Sequence, residues 1–369
     1  MTNIEKIKQA LLAQGFEAIL IINPVNRLFA TGFESSDGAL LVTGQGAWFY
    51  TDSRYIEAAE AAITGAKVSM VTDASTYSSQ ISSVLIEHGI TSLGFEDSSV
   101  TYSEYLNWTE KLSEAFTSSA TKRGETKQHG LLPIKKLLSD LRRKKTAGDL
   151  EKLKKAQRIA EKSFEEVLPL ISTDMTEKEL TAELIYRLIR NGADDKSFDP
   201  IIVSGPKSSM PHGVPGAVKI SKGFLTIDFG ARLDGWCTDT TRTLCVGEPD
   251  ETMKNIYETV LKAQEAGIKT ARAGLKASDV DAAGRKVIEE TGYGEYFGHG
   301  FGHGVGLEVH EAPTANRTSE DILAAGDVIS AEPGIYLPGR CGVRIEDVIY
   351  ITENGNENLT GLTKKLIIL

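Results

Sequence analysis

Gly298-His299-Gly300-Phe301-Gly302-His303-Gly304-Val305-Gly306-Leu307-Glu308-Val309-His310-Glu311 puts glycine at five alternate positions, from Gly298 to Gly306, and then turns strand-like. In its second half Val305, Leu307 and Val309 fall on one face, with Glu308 and His310 on the other. Glycine lets backbone pass close to a neighbouring segment and adopt dihedrals that other residues avoid. A histidine set in such backbone is placed by the packing that glycine permits. Four of the six histidines, His212, His299, His303 and His310, lie between positions 212 and 310. Alone, the stretch also suits a glycine-rich loop with incidental histidines, so the carboxylates around it carry the decision.

Working outward, four carboxylates sit in strand-like contexts. Phe224-Leu225-Thr226-Ile227-Asp228-Phe229-Gly230 is an apolar strand ending in an aspartate, and Asp239 follows eleven residues later in Thr238-Asp239-Thr240-Thr241-Arg242-Thr243. Two antiparallel strands with a turn near residues 232–234 would set these two side by side. Glu332 closes the apolar strand Ile329-Ser330-Ala331, and Glu346 stands in Val343-Arg344-Ile345-Glu346-Asp347-Val348. Taken singly, Asp228 reads as a turn cap, Glu346 as a partner of Arg344 and Glu332 as a rim residue. Taken together with His303, like charges sharing a dry space repel and desolvate badly unless cations sit among them. A carboxylate-rich set without thiolates prefers harder ions, so manganese or cobalt fits better than a structural zinc. The Asp-Phe-Gly at 228–230 also occurs in kinases, but no His-Arg-Asp stretch or glycine-rich nucleotide loop accompanies it.

The bulk properties set the frame. With 369 residues the chain is long for one core and suggests two domains. Hydrophobic content of 41% and charged content of 25% are those of a soluble globular protein, and no apolar run approaches the ~20 residues of a membrane helix. A net charge of −10 argues against a nucleic-acid partner, and Arg142-Arg143-Lys144-Lys145 reads as a solvated helix end. Cys237, Cys245 and Cys341 have neither CxxC spacing nor a disulfide pattern, and the N-terminus lacks a signal-peptide pattern. Both point to the reducing cytoplasm.

Strands alternate with helices from residue 18 to residue 95, which indicates a small α/β layer domain. Nothing in it clusters catalytic groups; Asp52 and Arg54 read as a cap and a surface pair. The pattern lapses in Thr117-Ser118-Ser119-Ala120-Thr121-Lys122-Arg123-Gly124-Glu125-Thr126-Lys127-Gln128-His129-Gly130, the linker candidate, so the domains are set at 1–125 and 126–369. Amphipathic runs at 134–143, 147–171 and 176–191 predict helices, followed by strands from 201, helices near 252–273 and 277–290, and a strand-rich tail from 343.

In these contexts (TIDFG, TDTTRT, GHGVGLEVHE, AEPGIY and VRIEDV) Asp228, Asp239, His303, Glu332 and Glu346 resemble the ligand set of the pita-bread dinuclear metallopeptidases, and among them the Xaa-Pro peptidases, aminopeptidase P and prolidase. The likeness spans nearly the whole chain. It implies an α+β fold, a pita-bread catalytic domain preceded by a smaller α/β creatinase-like domain. It further implies two divalent ions, manganese first with cobalt or zinc possible: Asp239 and Glu346 bridging both, Asp228 on one, His303 and Glu332 on the other. His212 and His310 would face the scissile amide, and Tyr336 and Arg344 would orient the ligand carboxylates. A homodimer acting on proline-containing peptides is also implied. No role transfers to His299. Chemically, a water bridging two cations ionises near neutral pH, and Glu332 is assigned to carry its proton to the leaving proline nitrogen. Phe198, before Asp199-Pro200-Ile201, is a candidate wall for the proline ring or else an ordinary core aromatic.

Three functions compete. Prolidases of this family often carry an arginine shortly after the His-Glu-x-Pro segment to bind the dipeptide carboxylate; here Thr314 follows His310-Glu311-Ala312-Pro313, with Arg317 three residues on. That departure favours an Xaa-Pro aminopeptidase over an Xaa-Pro dipeptidase. A metal-free binding module of the same fold is the remote alternative, disfavoured because all five ligand positions are filled.

Overall fold

A computed structural model describes residues 1–124 and 130–369, which divide into two compact units, Met1–Arg142 and Arg143–Leu369. The first is built on one mixed sheet of β1 (Ala18–Ile21), β2 (Ala39–Thr43), β3 (Ala47–Thr51), β4 (Lys67–Met70), β5 (Ser92–Phe95) and β6 (Gly130–Pro133), in the order β4-β3-β2-β1-β5-β6. Leu20, Leu41, Ile81, Leu85, Leu93, Leu112 and Phe116 make its core, with helices Tyr77–His88 and Tyr102–Arg123 packed on the sheet. Asp52 and Arg54 form an exposed ion pair at 2.6 Å.

Two readings of this region need correction. Residues 118–123 are no linker; they end the helix Tyr102–Arg123, which opens with a Thr101–Glu104 capping box, closes on Gly124 in the left-handed conformation and buries Phe116, Ser119 and Ala120. The rest of that stretch, 125–129, lies outside the described residues. The unit boundary falls after Arg142 and not after residue 125, because β6 pairs in parallel with β5 from Ser92↔Gly130 to Phe95↔Pro133.

The second unit repeats one order twice, a helix pair followed by antiparallel strands. Helices Ala147–Val167 and Glu177–Arg190 precede β7 (Asp195–Lys196), β8 (Ile201–Ser204), β9 (Gly223–Phe229), β10 (Ala231–Leu233), β11 (Trp236–Cys237) and β12 (Thr240–Val246). Helices Glu251–Thr270 and Ala277–Glu290 precede β13 (Gly302–Gly304), β14 (Glu311–Ala315), β15 (Val328–Ala331), β16 (Gly334–Leu337), β17 (Cys341–Arg344), β18 (Asp347–Ile351) and β19 (Asn356–Asn358). The sheets run β12-β9-β8, β11-β10-β7, β14-β13-β15-β18-β19 and β16-β17. Each helix pair has an apolar face that the following strands bury. Phe164 of the first pair stacks on Phe229 at 5.3 Å, which seats β9 one residue after Asp228.

The alternate glycines do steric work in the second half. A Cβ on Gly302 would stand 2.1 Å from the Ser330 carbonyl oxygen, so β13 lies against β15 at a distance only glycine allows. Between Gly300 and Gly302 the fully buried Phe301 ring fills a notch between the helices, where a Cβ on Gly267 or Gly284 would meet it at 2.1 or 2.5 Å. The strand expected over 305–309 is not formed. β13 ends at Gly304, the pairing to β14 shifts between His303 and Gly304, and residues 306–310 bend back with Gly306 N–H donating to Glu308 O at 3.0 Å. Hydrophobic alternation was right about burial, since Val305 and Leu307 are buried, but Gly304 and Gly306 let the chain close on the Ala312 carbonyl and the Glu311 carboxylate, where a Cβ would stand at 2.4 Å, and it turns there.

Truncating the anchor tests this packing. Phe301→Ala is expected to lower the unfolding free energy by about 3–5 kcal/mol, read by urea denaturation, because the glycine notch cannot collapse onto the space left.

Candidate metal centre

Five segments deliver the cluster. In the β9–β12 ladder Asp228 pairs with Thr241, so Asp239, just ahead of β12, lies next to Asp228. The hairpin joining them turns at Asp234 and Gly235, both at positive φ (51° and 79°), the pattern of a tight two-residue turn. Glu332 leaves β15 with its N–H held by Phe301 O at 2.8 Å, and Glu346 lies between β17 and β18 with its N–H on Thr241 O at 3.1 Å. His303 sits in β13. One ligand atom each from Asp228, Asp239 and Glu346 lie within 4.8 Å of one another, as do those of His303, Glu332 and Glu346, and those of Asp239, His303 and His310. The two-strand juxtaposition expected from sequence is therefore observed.

The polar surroundings orient these groups and leave particular oxygens bare. The Arg344 guanidinium donates to Asp228 Oδ2 at 2.6 Å, to Tyr336 OH at 3.0 Å and to Thr241 Oγ1 at 3.0 Å, and Thr241 Oγ1 donates in turn to Glu346 Oε2 at 2.8 Å. Behind it Arg242 donates to the Glu346 carbonyl and, at 2.7 Å, to buried Asp347. Within the cluster three buried oxygens receive no hydrogen bond: Asp228 Oδ1, Asp239 Oδ1 and Glu346 Oε1. Each is the second oxygen of a carboxylate in the same cluster. His303 Nδ1 faces the Gly304 carbonyl at 3.1 Å, which can only accept, so Nδ1 carries the proton and Nε2 is turned on Glu332 (3.1 Å) and Asp239 (3.6 Å).

Electrostatics state the same demand. Burial, then the charges of Glu346, Asp228 and Glu332, push Asp239 well above the ordinary carboxylate range. Burial, then Glu332 and Asp228, does the same to Glu346. Burial also raises Asp228, against the opposing pull of Arg344. Glu332 goes the other way, to about 2: burial raises it, but His303, together with His299 and Arg344, outweighs that. Carboxylates that resist ionisation for want of positive charge, with bare oxygens turned on one another, fit a site for divalent cations. All five predicted ligands converge.

Around the cluster lies a cavity of about 430 Å³ lined by Phe198, His212, His299, His303, His310 and Thr314, among others. Phe198 is half-buried in its wall and His212 is exposed at it. His310, also exposed, stands edge-on to His303 with ring centroids 4.2 Å apart. Arg317 does not line this cavity; it is exposed and pairs with Glu289 at 3.5 Å. His299 had no expected role, yet it belongs to the site. Its Nδ1 is 2.8 Å from the Gly300 carbonyl and its Nε2 is 2.9 Å from Tyr336 OH. Burial holds its pKa down, so the neutral ring accepts from Tyr336, which accepts from Arg344. The signal available in sequence was its spacing, four residues before His303 in the same glycine-alternating run. Asp281 and Arg285 were missed as well: their buried ion pair holds Phe301 N–H at 3.0 Å and the Phe297 and His299 carbonyls at 2.9 and 2.7 Å.

Comparison with known proteins agrees with this geometry. Metallopeptidase family M24 matches residues 151–353, and the creatinase/prolidase N-terminal domain matches residues 3–123. The chain is a member of metallopeptidase family M24. Its fold is the pita-bread catalytic domain preceded by a creatinase-like domain. A structure described as an Xaa-Pro dipeptidase from Bacillus anthracis is 39% identical, with a TM-score of 0.91 over 100% of this chain and 99% of its own. An Xaa-Pro dipeptidase of Pyrococcus horikoshii is 35% identical over 99% of this chain and 98% of its own. The X-Pro aminopeptidase from Thermotoga maritima is 32% identical, with a TM-score of 0.88 over 98% of this chain and 100% of its own. Among the described residues no helix is long and apolar enough to cross a membrane.

Two measurements follow from the cluster. Manganese or cobalt is expected to raise the thermal midpoint, each ion at a hundred times its Kd contributing about 2.7 kcal/mol, and chelation to reverse it. Asp239→Asn should abolish that response while raising the midpoint of the metal-free protein, because it removes one of the mutually repelling charges; a wild-type midpoint indifferent to ions and chelator excludes the centre. Arg344→Lys loses the fork that holds Asp228, Thr241 and Tyr336 together, and is expected to weaken metal binding by about 10–100-fold in competition with a chelating dye.

Proposed function

We propose that this chain is an Xaa-Pro dipeptidase that hydrolyses the amide before proline, with two divalent ions held by Asp228, Asp239, His303, Glu332 and Glu346. The observation that carries the reading is the convergence of four carboxylates and one imidazole, three of their buried oxygens bare, on the floor of a peptide-sized cavity. The preference for dipeptides rests on the two relatives named as Xaa-Pro dipeptidases, which match this chain end to end at 39% and 35% identity. It replaces the aminopeptidase preference drawn from Thr314.

Bound ions would supply the positive charge the carboxylates lack, polarise the amide carbonyl and acidify water. Asp239 and Glu346 would each serve both ions, as the family resemblance implies, and burial followed by the neighbouring carboxylates leaves both short of positive charge. Glu332, kept ionised against its burial chiefly by His303 and oriented by the hydrogen bond it accepts from Ser330 Oγ at 3.0 Å, would take the water proton and return it to the proline nitrogen. That nitrogen is tertiary and has no N–H to grip, so recognition falls to shape. The half-buried Phe198 offers the apolar wall. Burial, then the neighbouring His303, lowers the His310 pKa, so at neutral pH its ring is uncharged and keeps one N–H to donate to the developing oxyanion. His212 reaches the same cavity from the opposite part of the chain. The homodimer stays part of the proposal, and light scattering at one protomer mass would remove it.

A second reading, the Xaa-Pro aminopeptidase, is favoured by one observation: Thr314 lines the cavity where a carboxylate-binding arginine was expected, and Arg317 is engaged elsewhere. Xaa-Pro and Xaa-Pro-Yaa given in parallel to the manganese-loaded protein decide between them. Hydrolysis of the dipeptide with little of the tripeptide is expected, and the converse establishes the aminopeptidase. His310→Ala should lower kcat by about 10²–10³-fold, measured on the same substrate.

A further inference from the structure

Among the pairs of opposite charges buried near the cluster, Lys145 and Glu311 have no part in the account above. The Lys145 side chain is fully inaccessible, its Nζ 2.5 Å from Glu311 Oε1, and the Glu311 side chain is 3% exposed. Two full charges taken out of water are a poor source of stability, because desolvation consumes most of their attraction. Such a pair needs a reason in what it holds.

Glu311 opens β14 and directly follows His310. Its carboxylate lies against the backbone of the bend that carries His310: a Cβ on Gly306 would meet Glu311 Oε1 at 2.4 Å and Cδ at 2.7 Å. The bend therefore wraps a carboxylate and not an apolar side chain. Elsewhere its backbone is sewn down by Val305 N–H to Val328 O at 3.0 Å and Cys237 N–H to Gly306 O at 2.8 Å, both near its start. Residues 307–310 belong to no helix or strand. The countercharge arrives from 166 residues earlier in the chain. Lys145 is itself fixed at both sides, its N–H on Gly326 O at 2.9 Å and the next residue, Thr146, capping the helix Ala147–Val167.

We infer that the Lys145–Glu311 pair is a positioning device for His310, its ammonium holding the carboxylate in the crook of the 306–310 bend so that the imidazole is presented to the cavity. Lys145 touches no substrate; it acts through Glu311 and the bend. The inference rests on His310 facing the substrate in the proposed hydrolysis.

The test uses the metal-loaded full chain and Lys145→Met, Lys145→Arg and Glu311→Asp. Lys145→Met is expected to keep its bound metal, lose about 10–100-fold in kcat with KM changed by less than about three-fold, and exchange the amides of 305–310 faster in hydrogen-exchange mass spectrometry. Lys145→Arg, which keeps the charge, should recover part of the loss. Wild-type kcat and unchanged exchange in Lys145→Met overturn the inference. If that variant does not fold, Glu311→Asp, which withdraws the carboxylate from Gly306 by one methylene, is read in its place: a loss of kcat supports the device, and an unchanged kcat overturns it. If wild type hydrolyses neither Xaa-Pro nor Xaa-Pro-Yaa, the proposed function fails by itself, and the exchange arm still decides whether the pair orders the bend.

Discussion

The second unit is organised by a charge problem. Asp228, Asp239, Glu332 and Glu346 are drawn from strands on both sides of the unit into one buried space, where burial and the neighbouring carboxylates make Asp228, Asp239 and Glu346 harder to ionise. Arg344 answers part of that demand through Asp228, and His303 answers part through Glu332. The remainder falls on three oxygens that no donor reaches. A protein without cations would relieve such a site by letting water in or by protonating the acids. Here Arg344, Thr241, Tyr336 and Arg242 hold the carboxylates in place, so the site keeps a demand for positive charge that divalent ions would meet.

Holding acids together against their repulsion requires rigid backbone behind them. Phe164 stacked on Phe229 fixes the strand that ends at Asp228, and the Phe301 ring, set into a notch of two glycines, fixes the strand that carries His303. Both anchors are aromatic residues adjacent to or two positions from a member of the cluster, and both reach into a helix pair. The helix pairs thus serve the site through the strands they seat. Asp281 and Arg285 extend the logic to polar contacts, clasping the backbone on either side of His299.

The same economy links the histidines. His299 accepts from Tyr336, which accepts from Arg344, which holds Asp228, so one line of hydrogen bonds runs from the cavity wall to the cluster. His303 and His310 leave the glycine-rich stretch on either side of a bend, and their rings meet edge to face. Lys145 and Glu311 lie beneath that bend. Family membership and the fold accord with this arrangement, while the choice between dipeptide and longer peptide turns on the cavity wall near Thr314, where local chemistry and overall likeness point in different directions.

By itself the sequence picked out the five residues that converge in one cluster, the family and the alternation of helix pairs with strands. Carboxylates at the ends of apolar strands and glycine at every second residue are local patterns that ladder pairing and close approach convert directly into geometry. Asp228 beside Asp239 is legible because a single hairpin joins them. Tertiary structure alone decided the rest. The bend at 306–310 replaced an expected strand because the preference of alternating hydrophobic residues yields where glycine lets the chain close on a neighbouring segment. The helix to Arg123 ran through a polar stretch because its buried face is narrow and its caps are strong. The place of His299, and the reach of Lys145 to Glu311, depend on contacts between segments far apart in the chain, and periodicity carries no information about those.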